Sequence, residues 1–409
     1  RDLHYRLRRQ RQMCIRDRKP YDSLLSLYDL HATDSSRAMI IARVYLKKAR
    51  IDNDSTKMGR AYERMSYVSE YSAALSFLDS SIYLSRNSTH KNYPSAPYAI
   101  KSYYQYYGNE YEESLNNAIL AYNTAKKKGN VSYQISSLDL ISNVNGLWQN
   151  YREALDAQFL KLKLLEQNPE LLKTRKRAYL FTLSNIGTDY VRLKMPDSAL
   201  HYFKKGINVA LTQGDTAKYY NLVQQSGTAL YLRQDYEAAR DSLDKGYMNR
   251  VNDPDYSTYP YYIGSIHIDL GEQEKGIAIF REIDSTYKNN EILYPELTSV
   301  YHVLKNYYKK QGNIELELRY LNDLIVVNGL INEKEKYVKE KTQNDFRIPA
   351  LLEEKEQLLA RLELKNKQAN NRVIWLSVLS ILSFLALGFY IRRQQIYKRR
   401  FKKLLFSQD

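Results

Sequence analysis

The chain has 409 residues, enough for two or three ordinary domains or for one extended array of repeats. Its 15 Gly and 9 Pro are too few to punctuate an all-β chain, which needs turns roughly every 8 to 12 residues, so the sequence reads as helical almost throughout. The net charge of +16 would suggest a nucleic-acid surface, but residues 1–19 hold eight Lys/Arg against two Asp/Glu and residues 392–403 hold seven Lys/Arg and no acid. The body between these ends is close to neutral, so no basic phosphate-binding face is indicated there, and no nucleic acid is expected as a partner.

Residues 1–18, "RDLHYRLRRQRQMCIRDR", contain no initiator Met, no uninterrupted apolar run and no small-residue cleavage site, so they do not read as a signal peptide. The block "QMCIRDR" looks like translated sequencing-adapter read-through, and the segment is expected to be non-native, with a short basic arm as the alternative. Cys14 is the only cysteine, which rules out an internal disulfide framework and a Cys-based zinc site.

Residues 19–325 contain an internal repeat. Its recurrent unit is an aromatic, two residues, a small residue and usually Leu: "YSAAL" at Tyr71, "YEESL" at Tyr111, "YREAL" at Tyr151 and "YEAAR" at Tyr236, with weaker copies "PDSAL" at Pro196, "QEKGI" at Gln273 and "IELEL" at Ile314. The small residues Ala38, Ala74, Ser114, Ala154, Ala199, Ala239 and Gly276, followed by a degenerate Glu317, are spaced 36 to 45 residues apart. Other positions keep the same frame. Gly187, Gly227 and Gly264 lie twelve before an anchor, Gly271 and Gly312 five before, and Phe203, Phe280 and Leu321 four after. Small residues where helices touch, with a large one to fill the gap, are what an antiparallel helix pair needs.

These residues resemble the tetratricopeptide repeat (TPR), a family with a small-Gly pair and an aromatic in its first helix and Gly-x-aromatic-x-x-Ala opening its second. This chain departs from the family in its longer period, in lacking most of the terminal prolines and in having mixed residues at the Trp position. The resemblance implies a stack of about eight helix pairs whose first helices line a concave surface, and a peptide or protein as the partner on that face. The tyrosine clusters "SYYQYYGNEY" (Tyr103 to Tyr111) and "DYSTYPYYIG" (Tyr256 to Tyr262) allow two readings. Either the rings fill inter-helix seams with their hydroxyls wet, or they line an aromatic ligand groove.

No catalytic constellation is present in the sequence. His4, His31, His90, His201, His267 and His302 fall in six separate segments without a helical metal pair, and no phosphate-cradling or nucleophile-elbow motif occurs. No enzymatic activity, cofactor or metal is expected.

Residues 326–372 read as a helical stalk. The long helix after Gly312 turns Leu316, Tyr320, Leu324, Val327 and Leu330 toward the repeats, and "NEKEKYVKEKTQND" from Asn332 then reads as a solvated charged face. A new helix starts near Pro349, a residue suited to a first turn. Leu352, Leu359, Asn366 and Val373 are seven apart, with Leu362 and Ala369 between them, while Lys355 interrupts the seam. A stalk pairing in a homodimer and a lone amphipathic helix both fit so few heptads.

Residues 373–391 hold no charge and would span roughly 28 Å as a helix, near the thickness of a bilayer core. Trp375 and Tyr390 sit where interfacial aromatics belong. After this expected transmembrane helix come Arg392, Arg393, Lys398, Arg399, Arg400, Lys402 and Lys403, against Arg361, Lys365, Lys367 and Arg372 in the twelve residues before it. That asymmetry predicts an inner-membrane protein with the 392–409 tail cytoplasmic and the repeats periplasmic.

The expected fold class is therefore all-α: a TPR-like α-solenoid of about eight helix pairs, then a long stalk helix and one transmembrane helix. The order of repeats, charged helix, "FRIPALLEEKEQLL", single span and "RRQQIYKRRFKKLL" resembles Bacteroidetes-type membrane-spanning TPR regulators. That resemblance implies the sensor part of a regulator whose cytoplasmic output, an AraC-type helix-turn-helix domain or else a histidine kinase, is missing here. A complete membrane-tethered TPR scaffold, or a cytosolic scaffold of opposite topology, are the alternatives.

Overall fold

The structure is a computed structural model that describes residues 19–249, 258–290 and 293–405, with side chains described as far as Arg399. Residues 1–18, with His4 and Cys14, and Tyr256 lie outside the described residues. Among the described residues every regular element is helical. The chain divides into two units, one ending at Gln343 and the other beginning at Asn344.

The first unit is a TPR-like α-solenoid of eight consecutive helix pairs, each packing closely within itself and against the next. They are α1 (Tyr21–Leu30) with α2 (Ser35–Ile51), α3 (Ser55–Ser66) with α4 (Tyr71–Ser85), α5 (Ser95–Tyr107) with α6 (Tyr111–Lys127), and α7 (Val131–Leu147) with α8 (Tyr151–Glu166). After the short α9 (Pro169–Thr174) come α10 (Lys176–Arg192) with α11 (Pro196–Gln213), α12 (Thr216–Leu232) with α13 (Tyr236–Met248), α14 (Thr258–Asp269) with α15 (Gln273–Asn290), and α16 (Glu296–Lys310) with α17 (Ile314–Thr342). The six-residue α9 accounts for the longest interval of the repeat, between Ala154 and Ala199.

Local chemistry starts and stops these helices. Asp34, Asp54, Asn130, Asp215 and Asn313 each accept a backbone N–H from the first turn of the helix they precede, worth about 1 kcal/mol apiece. Within six of the pairs the turn is the same. The residue five before the anchor is left-handed, at Asn109, Gln149, Lys194, Gln234, Gly271 and Gly312. The next residue's N–H donates to a carbonyl five positions back, as in Asn150 to Asn145 (2.9 Å), Met195 to Tyr190 (2.9 Å) and Glu272 to His267 (2.7 Å). This is the Schellman closure, which satisfies an orphan carbonyl at the helix end and sends the chain straight back. Only two of the six positions are Gly, so the sequence pattern had exposed the motif in two pairs alone.

Each anchor is the fourth residue of its pair's second helix, one turn in. Ala38, Ala74, Ser114, Ala154, Ala199 and Ala239 are fully buried, and Gly276 is buried as well. Glu317 in the last pair is half-buried. The glycines twelve before the anchors face the large residues four after them. A Cβ on Gly187 would lie 2.3 Å from Cε1 of Phe203, one on Gly264 2.5 Å from Cε1 of Phe280, and one on Gly227 2.7 Å from Cγ of Leu243. The third pairing explains how the repeat survives without Phe at 243.

First helices of neighbouring pairs also pack directly on one another, α5 on α7, α10 on α12 and α12 on α14, which places them on the tighter, inner side of the stack. In the second unit, a π-helical turn is completed through Arg347 and α18 (Ile348–Leu405) follows as one continuous helix with Pro349 in its first turn. Its apolar stretch is long and apolar enough to cross a membrane, and it is exposed along its whole length.

Candidate functional site

The inner face carries an open groove of about 320 Å³ built from three successive first helices. Its walls are Tyr67, the residue that closes α3; Ala99, Ile100, Tyr103 and Tyr104 on adjacent turns of α5; and Tyr133 and Ser136, one turn apart on α7. The helical spacing brings these side chains to one surface. Tyr103 remains 53% exposed and Tyr107 68%, whereas Tyr106, turned toward the second helix of its own pair, meets Tyr111, which in turn meets the buried Trp148. Tyr106 thus fills a seam, while Tyr103 and Tyr107 leave most of their ring surface open. The second cluster is packing alone among the described residues: Tyr259 stacks on Tyr247 at 3.9 Å, Tyr261 on Phe280, and Tyr262 meets Tyr231 edge-on.

Behind the groove lies Glu63, 6% exposed on α3. Tyr93 Oη donates to its Oε2 at 2.5 Å and Tyr67 Oη to its Oε1 at 3.3 Å. Burial pushes the Glu63 carboxyl up, against these two hydrogen bonds and the charges of Arg64 and Arg60 that hold it down. Burial, with the Glu63 charge adding to it, also pushes the groove residue Tyr133 up to about 12. The groove floor is thus a carboxyl–phenol network, and the phenols stay protonated as hydrogen-bond donors at neutral pH. Sequence periodicity offered one signal for it, a carboxylate in line with the small seam residues Gly59 and Ser66, both buried.

A second buried carboxyl, Asp189 on α10, faces Arg192 at 3.9 Å and leaves Oδ2 without a partner. Burial outweighs that arginine and raises Asp189 to about 7. A Cβ on Gly146 would meet Arg192 and Asp189, so this carboxyl lies beside the C-terminal turn of α7.

The C-terminal part of α17 reaches the same region. The buried seam of this helix runs past Val327 through Ile331, Val338 and Thr342, while Leu330, expected on it, is exposed. Lys334 Nζ pairs with Glu112 Oε1 of α6 at 2.7 Å, and Thr342 Oγ1 donates to Asn145 Oδ1 of α7 at 3.0 Å. The charged run from Asn332 is therefore a solvated face with one seated edge. Burying Ile331 and Val338 contributes about 1.5–3 kcal/mol each, more than the half-exposed ion pair, which is worth about 0–1.

The remaining sequence-predicted residues are not gathered into a site. The anchors occupy one pair each; His31, His90, His201, His267 and His302 stay apart; and no group of three metal-ligating side chains occurs among the described residues. Arg392, Arg393, Lys398 and Arg399 are exposed on α18, while for Arg400, Lys402 and Lys403 only the helical backbone is described.

No family model and no curated protein matches this sequence. Solved structures similar to it include the apo form of RapI, at 14% identity over 77% of this chain and 99% of that one with a TM-score of 0.49. Aspartyl phosphate phosphatase F from Bacillus subtilis is similar at 17% identity over 80% of this chain and 89% of that one, TM-score 0.49. A tetratricopeptide repeat protein from Parabacteroides merdae is similar at 12% identity over 70% of this chain and 97% of that one, TM-score 0.43.

Proposed function

We propose that this chain is the sensing and membrane-spanning part of a single-pass signalling regulator, in which the inner face of the repeats binds a peptide or protein segment and the 373–391 helix carries the response across the bilayer. The observation that carries the binding half is the groove of Tyr67, Tyr103, Tyr104 and Tyr133. Rigid rings give contact area at small entropic cost, and the Tyr133 hydroxyl, kept protonated by burial, is a donor for a backbone or side-chain carbonyl. The anchoring half is supported by the uncharged, exposed stretch of α18 and by the basic residues after it, which favour a cytoplasmic tail. The exposed leucines Leu352, Leu359 and Leu362 before it suit pairing with a second copy of the stalk.

A photo-crosslinking residue at Ile100 in the groove, compared with one at the exposed Leu211 on a second helix, tests the binding half in cells. An adduct at 100 that is absent at 211 and lost on Tyr103→Ala is expected; identical patterns at both positions would refute it. A cysteine at Gln368, in a chain with Cys14→Ser, should react with an impermeant thiol reagent in intact spheroplasts. Protection until the membrane is opened would reverse the topology.

A further inference from the structure

We infer that Ile331–Thr342 is a detachable latch that closes the repeat array on itself and reads its curvature. The rest of α17 belongs to the last pair: Tyr320, Leu324 and Val327 are buried, and Thr298 Oγ1 of α16 donates to Asn328 Oδ1 at 2.9 Å. Gly329, with open space around it, and the exposed Leu330 then interrupt the packing. A mid-helix glycine is where the helix loses least by opening. Beyond it, Ile331, Lys334, Val338 and Thr342 fall on one stripe at spacings of three, four and four, and the stripe's polar partners, Glu112 and Asn145, are 222 and 197 residues earlier in the chain.

That separation gives the contact its meaning. Each pair of a solenoid rests only on its neighbours, so the distance between the last pair and pairs three and four is the sum of several small inter-pair rotations. A small change at each step adds up at the latch, where short-range contacts of a single helical stripe either fit or do not. α7 carries Tyr133 and Ser136 of the groove and Asn145 of the latch site on one rigid helix, so tilting it acts on both. Thr342 is followed at once by the π-helical turn Gln343–Arg347 and then α18, so release frees the segment that leads into α18. The inference depends neither on what fills the groove nor on membrane insertion, and its failure leaves those readings untouched.

Amide hydrogen exchange on the full chain in detergent micelles tests it. Amides of 331–342 should exchange at least about tenfold faster than those of 320–327, as expected for a sub-global opening. Val338→Asp should speed 331–342 further, by about tenfold or more, without changing 320–327 or α16. Lys334→Glu and Glu112→Lys should each speed exchange there and together restore it. Gly187→Ala, which disturbs pair five between the two attachment points, should also speed 331–342 while leaving α16 unchanged. Uniform protection along α17, a response to Val338→Asp shared by 320–327, or no restoration by the double charge reversal would overturn the latch. Unchanged exchange at 331–342 in Gly187→Ala would overturn the curvature reading.

Discussion

The packing of Gly187 against Phe203 makes a quantitative prediction about what holds a helix pair together. In Gly187→Ala the new Cβ would lie 2.3, 2.5 and 2.9 Å from three carbons of the Phe203 ring. Carbon atoms in contact sit at roughly 3.5–4.0 Å, so the ring must retreat by more than about 1 Å. Phe203 is fully buried between the helices, so its retreat pushes α10 away from α11. Overpacking of this kind costs about 1–3 kcal/mol, and the shortfall places Gly187→Ala toward the upper end. Urea unfolding of the full chain in detergent, followed by circular dichroism, should show the lowest-stability transition moving to lower urea. Phe203→Leu alone should also destabilise, but the double variant should be more stable than the sum predicts by more than about 0.5 kcal/mol, because Leu vacates part of the ring's volume. Gly329→Ala is the control: its Cβ would meet nothing within 4 Å, and a helix gains about 0.5–1 kcal/mol from Ala over Gly. A neutral Gly187→Ala, or an additive double variant, would refute the close-packing account of the repeat.

Further outcomes follow from the turns and the buried carboxyl. Lys194→Gly should stabilise by roughly 0.5–1 kcal/mol because Lys194 holds a left-handed φ of 59° that glycine adopts without strain; Gly271→Ala, at φ 83°, should destabilise by a similar amount in the same urea assay. Asp189, raised by burial from 3.8 to about 7, binds a proton in the folded chain that the unfolded chain has released between those values. Its contribution to stability is thus fully present below about pH 4 and is lost as pH rises to about 7, a difference on the order of 4 kcal/mol. Asp189→Asn should flatten the pH dependence of unfolding over that window and exceed the parent in stability at pH 8; a parallel pH profile in the variant would contradict the assignment. Tyr103→Ala should leave the unfolding midpoint within about 0.5 kcal/mol of the parent, since the ring is half-exposed, while removing groove crosslinking.

Residue by residue, the helix pairs were legible because their signal is local and repeated. A small residue such as Ala199, a glycine twelve before it and Phe203 four after it encode one close approach, and the same frame recurs along the chain. The turns were legible only where glycine marks them. Gln149, Lys194 and Gln234 take the same left-handed conformation, enforced by the packing of the two helices they join and not by their own preference. Glu63 and Asp189 were missed as buried groups because a single carboxylate on an amphipathic helix looks solvated until the neighbouring pair is stacked over it.

Composition and periodicity alone determined that the chain is helical, that it repeats, where each second helix begins and which uncharged stretch could cross a membrane, since all of these depend on contacts within about one repeat. The tertiary structure decided which tyrosines face the groove and which fill seams, and that the charged run after Asn332 seats one edge on α6 and α7. The first outcome is set by how neighbouring pairs stack and the second by the summed rotation of many pairs, and no local stretch of sequence carries either.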